Sequence, residues 1–150
     1  MPLLSLFDRS LLERAACPAL EFAGAAFSFG ELEARSNRLA HALRARGLKS
    51  GDRLAFFLQN RGEVIDLWIA AVKLGLVLVP VNVLYREREL THLLADSAPA
   101  AVVTSHDLAG FVPAGVARWE VDALAADATA RRSGRDLHRT EAGLGRELVA

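Results

Sequence analysis

Cysteine occurs once, at Cys17, which excludes an internal disulfide and a cysteine-built zinc site. The four histidines (His41, His92, His106, His138) lack the close spacing of metal ligands. No glycine-rich loop carries Lys with Ser or Thr, so no phosphate cradle of the P-loop kind can form. Gly143-Leu144-Gly145 has neither the preceding strand nor the following amphipathic helix that a dinucleotide fingerprint needs. Neither charge is in surplus: basic and acidic side chains number 18 each, which implies no general attraction to nucleic acid or an anionic membrane. Lysine is scarce too, with Lys49 and Lys73 alone among sixteen arginines. The start, MPLLSLFDRSLLERAA, has its apolar run cut by Asp8, Arg9, Glu13 and Arg14. It reads as neither signal peptide nor membrane span, and the expected location is cytoplasmic.

What the 150 residues do contain is organised around Arg53 to Asn82. Leu54 to Leu58 is a short apolar run bounded by Gly51-Asp52 and Asn60-Arg61-Gly62, the pattern of a strand buried on both faces. Glu63 to Leu74 is helical, with Glu63, Asp66 and Lys73 on one narrow stripe and the rest apolar enough to need cover. Gly75 stops it, and Leu76 to Val79 is a second buried strand ended by Pro80. Two buried strands joined by a helix predict a right-handed parallel unit.

Before this unit, Leu3 to Ala16 reads as a short amphipathic helix ended by Pro18. Ala19 to Phe22 and Ala26-Phe27 read as two strands around an Ala23-Gly24 turn. Ser28 and Glu31 have capping-box spacing, with Phe27 and Leu32 placed as a hydrophobic staple. The helix that follows has Leu32, Leu39 and Leu43 on one face, with Glu33, Arg35, Arg44 and Arg46 mostly on the other. Gly47 closes it in the left-handed conformation, Leu48 folding back. After the unit come a helix over Tyr85 to Ser97, stopped by Ala98-Pro99, and a buried strand over Ala100 to Thr104. One further strand is expected around Trp119-Glu120-Val121. The fold class is therefore α/β: a partial N-terminal subdomain with a mostly parallel sheet flanked by helices. Residues 1–124 carry the pattern, and 125–150 read as a poorly patterned tail or linker. There Arg131, Arg132, Arg135 and Arg139 are diluted by Asp127, Asp136, Glu141 and Glu147, so a solvated tail outweighs a nucleic-acid site.

In open parallel sheets ligands sit outside the carboxyl ends of the strands. Those ends offer Gln59 and Asn60, Pro80 to Asn82, and Thr104-Ser105. Asn60 and Asn82 are the substrate-proximal candidates; the plainer alternative is that they cap loops and satisfy backbone groups. No catalytic, cofactor-binding or metal residue is assigned.

Phe27-Ser28-Phe29-Gly30-Glu31-Leu32, the run Ala71 to Asn82, Glu89-Leu90 and Asp96 to Pro99 together resemble the opening of AMP-forming acyl-CoA synthetases. These belong to the adenylate-forming superfamily, with luciferases and nonribosomal-peptide adenylation domains. The resemblance covers roughly residues 5 to 124, and Asn82 after Val-Pro-Val looks like the acyl-CoA ligase branch, nearest malonyl-CoA or fatty-acyl-CoA synthetases. It implies a two-step ligase in which ATP and a carboxylate give an acyl-adenylate and pyrophosphate, and a thiol, usually coenzyme A, takes the acyl group. ATP, magnesium and coenzyme A are thus implied for a full-length parent, and none is expected to be bound by this chain alone.

The family's Ser/Thr/Gly-rich loop ending in Lys, its later magnesium-binding acid, its ribose-binding Asp and its C-terminal Lys match no position here. The chain alone is expected to lack adenylation activity and to meet either the rest of a synthetase subunit or further copies of itself through exposed apolar surface. The alternatives are a free-standing α/β interaction module and an unrelated small nucleotide-binding domain. Where the family shows Ile-Tyr-Thr-Ser-Gly, this chain has Ser133 to Arg139, too charged for a buried strand. Two origins are open: truncation after a divergent linker, or a shifted frame, since codons for Asp136-Leu137-His138 read one nucleotide later can give Ile-Tyr-Thr.

Overall fold

The computed structural model describes residues 3–130. The expectations on Arg131 to Arg139, the shifted frame at Asp136, and Gly143 to Gly145 lie outside the described residues. The elements in order are α1 (Leu3–Leu11), β1 (Pro18–Phe22), β2 (Ala25–Ser28), α2 (Phe29–Ala45), β3 (Arg53–Phe57), α3 (Gly62–Leu74), β4 (Val77–Pro80), α4 (Glu87–Ser97), β5 (Ala101–Thr104), a 3-10 turn at Ala109–Phe111, β6 (Arg118–Glu120) and α5 (Val121–Ala130).

The capping box at the start of α2 forms as its spacing predicts: Glu31 N–H donates to Ser28 Oγ at 3.2 Å, and Ser28 N–H to Glu31 Oε2 at 2.7 Å. That second bond holds the Glu31 carboxyl below its ordinary value. At the other end Gly47 has φ +92, Gly47 N–H donates to Arg44 O and Leu48 N–H to Leu43 O, which is a Schellman closure. α3 ends the same way, with Gly75 at φ +67 and Leu76 N–H on Ala71 O.

The first helix is shorter than the sequence pattern predicts, stopping at Leu11 rather than Ala16. The reason is tertiary. Ala15 O and Cys17 O accept from Gly30 N–H and Phe29 N–H, two of the first-turn donors of α2 that have no partner within their own helix. Gly30 permits the approach, because a Cβ there would stand 3.1 Å from Ala15 O. β1 and β2 then pair antiparallel around Ala23-Gly24, both at positive φ, as a tight two-residue hairpin turn requires.

β3 is central in a four-stranded sheet of order β4-β3-β5-β6, parallel throughout. Its side chains alternate between two cores. Leu54, Phe56 and Leu58, with Ala101 and Val103 of β5, pack on α2, α3 and α5. Ala55 and Phe57, with Val102, pack on Leu90 and Leu94 of α4 and on Leu108 and Val112. The chain is thus α/β with helices on both faces of a parallel sheet. α3 lies on one face because β3 connects leftward to β4. α4 lies on the other because β4 connects back across β3 to β5, and right-handed crossovers in opposite directions need opposite faces.

Three local readings are corrected. β4, expected as a buried strand over Leu76 to Val79, is an edge of the sheet and leaves Val77 47% exposed. Val121 begins α5 rather than ending a strand, and α5 buries Val121, Leu124 and Ala128 at helical spacing where the sequence suggests no apolar face. On α3, Asp66 and Lys73 are not a solvated stripe: both are buried against α2, while Ile65 and Trp68 are 39% and 47% exposed. Burial of charge here is affordable because each has partners, as α2 turns its own polar residues inward to meet them.

Candidate functional site

The chain leaving β3 enters α3 on one face of the sheet, and the chain leaving β5 turns onto the other face through Leu108. These neighbouring strands therefore open a crevice at their carboxyl ends, the topological switch point where α/β sheets hold ligands. A cleft of ≈ 520 Å³ lies there. Gln59 to Glu63 after β3 and Ser105 with Asp107 after β5 form its polar floor, and Phe22 and Phe27 of the hairpin with Arg35 of α2 form the opposite wall.

Most charges in this cleft are already engaged. Arg35 holds Asp66 Oδ2 through Nη2 at 2.6 Å and Nε at 2.8 Å, with its guanidinium 4.6 Å from the centre of the Phe27 ring. Burial raises the Asp66 carboxyl above its ordinary value, outweighing the opposite pull of Arg35. Arg61 Nε meets Glu63 Oε2 at 2.9 Å, and its Nη2 meets Asp122 Oδ1 at 2.5 Å, tying the β3–α3 loop to α5. The Arg61 bond holds the Glu63 carboxyl below the usual range.

Ser105 Oγ is buried and makes no hydrogen bond, yet it stands near enough to Asp107 to lower that carboxyl. Proximity alone biases the charge, without the angles that a hydrogen bond requires. The cleft therefore offers the Gln59 and Asn60 carboxamides and an aromatic wall. Among the described residues, no histidine or lysine lines it.

Of the two candidate residues from the sequence, Asn60 lines the cleft. Asn82 is not among its lining residues, and its Oδ1 accepts from Leu84 N–H at 2.9 Å, a local turn of the kind asparagine makes after a strand. The structure does not bring the two into one site. Sequence reasoning missed Phe22, Phe27, Arg35, Arg61 and Asp107. The hairpin and α2 residues reach the cleft only through tertiary packing, and Arg35 reads as one more arginine on a polar helix face. Asp107 follows the strand-end pair Thr104-Ser105 by only a few residues and was within reach of the strand-end rule.

Among the described residues no group of three His, Cys, Asp or Glu side chains could hold a metal ion, and no helix is long and apolar enough to cross a membrane.

A family profile described as AMP-binding enzyme matches residues 7–144. Novobiocin biosynthesis protein H of Streptomyces niveus is 32% identical over 114 residues, covering 76% of this chain and 19% of that protein. A long-chain-fatty-acid–CoA ligase of Escherichia coli O6:H1 is 36% identical over 102 residues, covering 67% of this chain and 18% of the ligase. The chain thus spans under a fifth of the length of either relative. Among solved structures, an artificially fused adenylation–PCP di-domain, NpsA-ThdA of Klebsiella oxytoca, superimposes with a TM-score of 0.81 at 26% identity, over 89% of this chain and 25% of that one.

Proposed function

Since this chain belongs to the AMP-binding enzyme family, we propose that it is the N-terminal part of an ATP-dependent acid–thiol ligase, acting on a fatty acid or similar carboxylate. The observation that carries this reading is the joint match in sequence and fold to adenylate-forming proteins, over the segment that resembles acyl-CoA synthetases. In such a ligase a carboxylate oxygen attacks the α-phosphorus of ATP and pyrophosphate leaves. The thiol sulfur then attacks the acyl carbon, releasing AMP and a proton. A cytoplasmic setting, where ATP and coenzyme A are supplied, is part of the proposal.

The described residues do not fit ATP with magnesium. The cleft's two guanidinium groups, on Arg35 and Arg61, are held by carboxylates, and Glu63 is held in turn. No step of the chemistry is therefore assigned to this chain. Its role in the proposal is scaffold: a rigid parallel sheet that orients the β3 and β5 loops toward groups supplied from elsewhere in the enzyme.

A scaffold of this kind needs a covering partner, either the remainder of a synthetase subunit or another copy of the chain. Ile65 and Trp68 lie one turn apart on the outer face of α3, Trp68 meets Phe7 of α1 edge-on at 6.3 Å between ring centres, and Leu6 beside it is 55% exposed. That is an apolar stripe across two helices of the sort soluble monomers seldom leave bare beyond a few hundred Å². The purified chain is expected to self-associate on size exclusion or to enhance the fluorescence of a hydrophobic dye. A monodisperse monomer with no dye response instead points to the free-standing interaction module.

A further inference from the structure

We propose that the cleft at the carboxyl ends of β3 and β5 binds a small organic cation, an arylalkylammonium being the class that fits. This goes beyond the ligase reading, which gives the cleft no ligand of its own. The space of ≈ 520 Å³ accommodates a phenyl ring with a short amine chain.

An anion finds no free partner there. The Arg35 guanidinium is held by Asp66, and that of Arg61 by both Glu63 and Asp122. The start of α3, ordinarily a place for negative charge, already has Glu63 in its first turn, and that carboxylate accepts from its own backbone N–H. A further anion would meet a carboxylate.

A cation meets Asp107. This residue lines the cleft, is exposed, and forms no ion pair among the described residues. His106, whose charge acts on it, is paired with Glu120 at 3.4 Å. An ionised carboxylate has about four accepting positions, so the Ser105 hydroxyl nearby does not exhaust it. The Gln59 and Asn60 carboxamides bring further acceptors to the same space.

The hairpin supplies the apolar half. Phe22 lines the cleft and is 39% exposed, and Phe27 beside it already has a cation on its ring, the Arg35 guanidinium at 4.6 Å. Aromatic faces attract positive charge, so the wall and Asp107 favour the same ligand. A ring laid on Phe22 covers its bare surface while the ammonium reaches Asp107. An inorganic cation would leave Phe22 bare, and an uncharged arene would leave Asp107 without a counter-charge.

The test is calorimetric titration of the 150-residue chain with phenethylammonium, beside phenethyl alcohol and hydrocinnamate, which keep the ring and change the charge. Saturable binding of the ammonium is expected, about tenfold tighter than the alcohol, with the anion weaker still. Asp107→Asn is expected to weaken the ammonium about tenfold and to leave the alcohol unchanged, whereas Phe22→Ala weakens both. Both side chains are exposed, urea unfolding checks that each variant folds, and the ligand series on the parent chain stands without them. Absence of saturable heat with phenethylammonium, hydrocinnamate binding as tightly, or an affinity unchanged in Asp107→Asn would each overturn the assignment.

Discussion

Lys73→Met is expected to lower the unfolding free energy by about 3–5 kcal/mol, the cost of leaving a buried charge without its partner. Lys73 Nζ donates to Glu33 Oε2 at 2.7 Å, Ser36 Oγ at 2.9 Å and Asn37 Oδ1 at 2.7 Å, one acceptor for each ammonium hydrogen. The Lys73 and Glu33 side chains are only 8% and 10% exposed. Asn37 Nδ2 in turn donates to Glu33 Oε1 at 2.9 Å, and Ser36 Oγ to Glu33 O at 3.0 Å. Removing the ammonium strands the Glu33 carboxylate in a site built for a cation. Removing both charges does not, so Glu33→Leu with Lys73→Met is expected to regain most of the loss, because an apolar pair of similar size is often as stable as the ion pair it replaces. The exposed Lys49 serves as control; its replacement by Met should stay within about 0.5 kcal/mol of the parent chain. Urea unfolding of the parent chain, Lys73→Met, Glu33→Leu and the double variant gives the coupling between the two sites directly. A cost under about 1 kcal/mol for Lys73→Met would show that the seam between α2 and α3 does not depend on its charges.

Phe57→Ala is expected to cost about 3–5 kcal/mol as well, by cavity formation rather than by stranded charge. Phe57 is fully buried at the end of the central strand, among Leu90, Leu94, Val102 and Val112. β3 is hydrogen-bonded on both sides, so its backbone has little freedom to close over the void. A domain of this size holds roughly 5–15 kcal/mol in total, and either substitution leaves it marginal. Phe22, on the hairpin and 39% exposed, should lose under about 1 kcal/mol when cut to alanine. Trp68 and Trp119 report the unfolding by fluorescence, and equal costs at Phe57 and Phe22 would contradict the placement of the core.

The elements whose local and tertiary preferences agree are the ones legible in the sequence. Ser28 with Glu31, Gly47 with Leu48, and the apolar run from Leu54 to Leu58 each specify their structure through residues a few positions apart, and each forms as expected. The elements that were misread depend on distant partners. The α1 helix stops at Leu11 because Ala15 and Cys17 accept from the start of α2, a bond that no window of sequence around Leu11 contains. α5 is alanine-rich, and small side chains bury against α2 without a strong apolar signature. Asp66 and Lys73 look solvated until Arg35, Glu33, Ser36 and Asn37 are known to face them. The cleft follows the same division. Asn60 and Ser105 were found by the strand-end rule, whereas Phe22, Phe27 and Arg35 reach it only through packing.

The central claim is that this chain supplies the scaffold of an adenylate-forming ligase without the groups that handle ATP. The most direct measurement is ATP-dependent pyrophosphate release by the purified 150-residue chain, offered carboxylates from acetate to long-chain fatty acids with magnesium present. The account predicts release no greater than in the protein-free blank for every acid, with both lysines accounted for elsewhere: Lys73 in the seam and Lys49 exposed ahead of β3. Pyrophosphate release that requires both ATP and a carboxylate would contradict it.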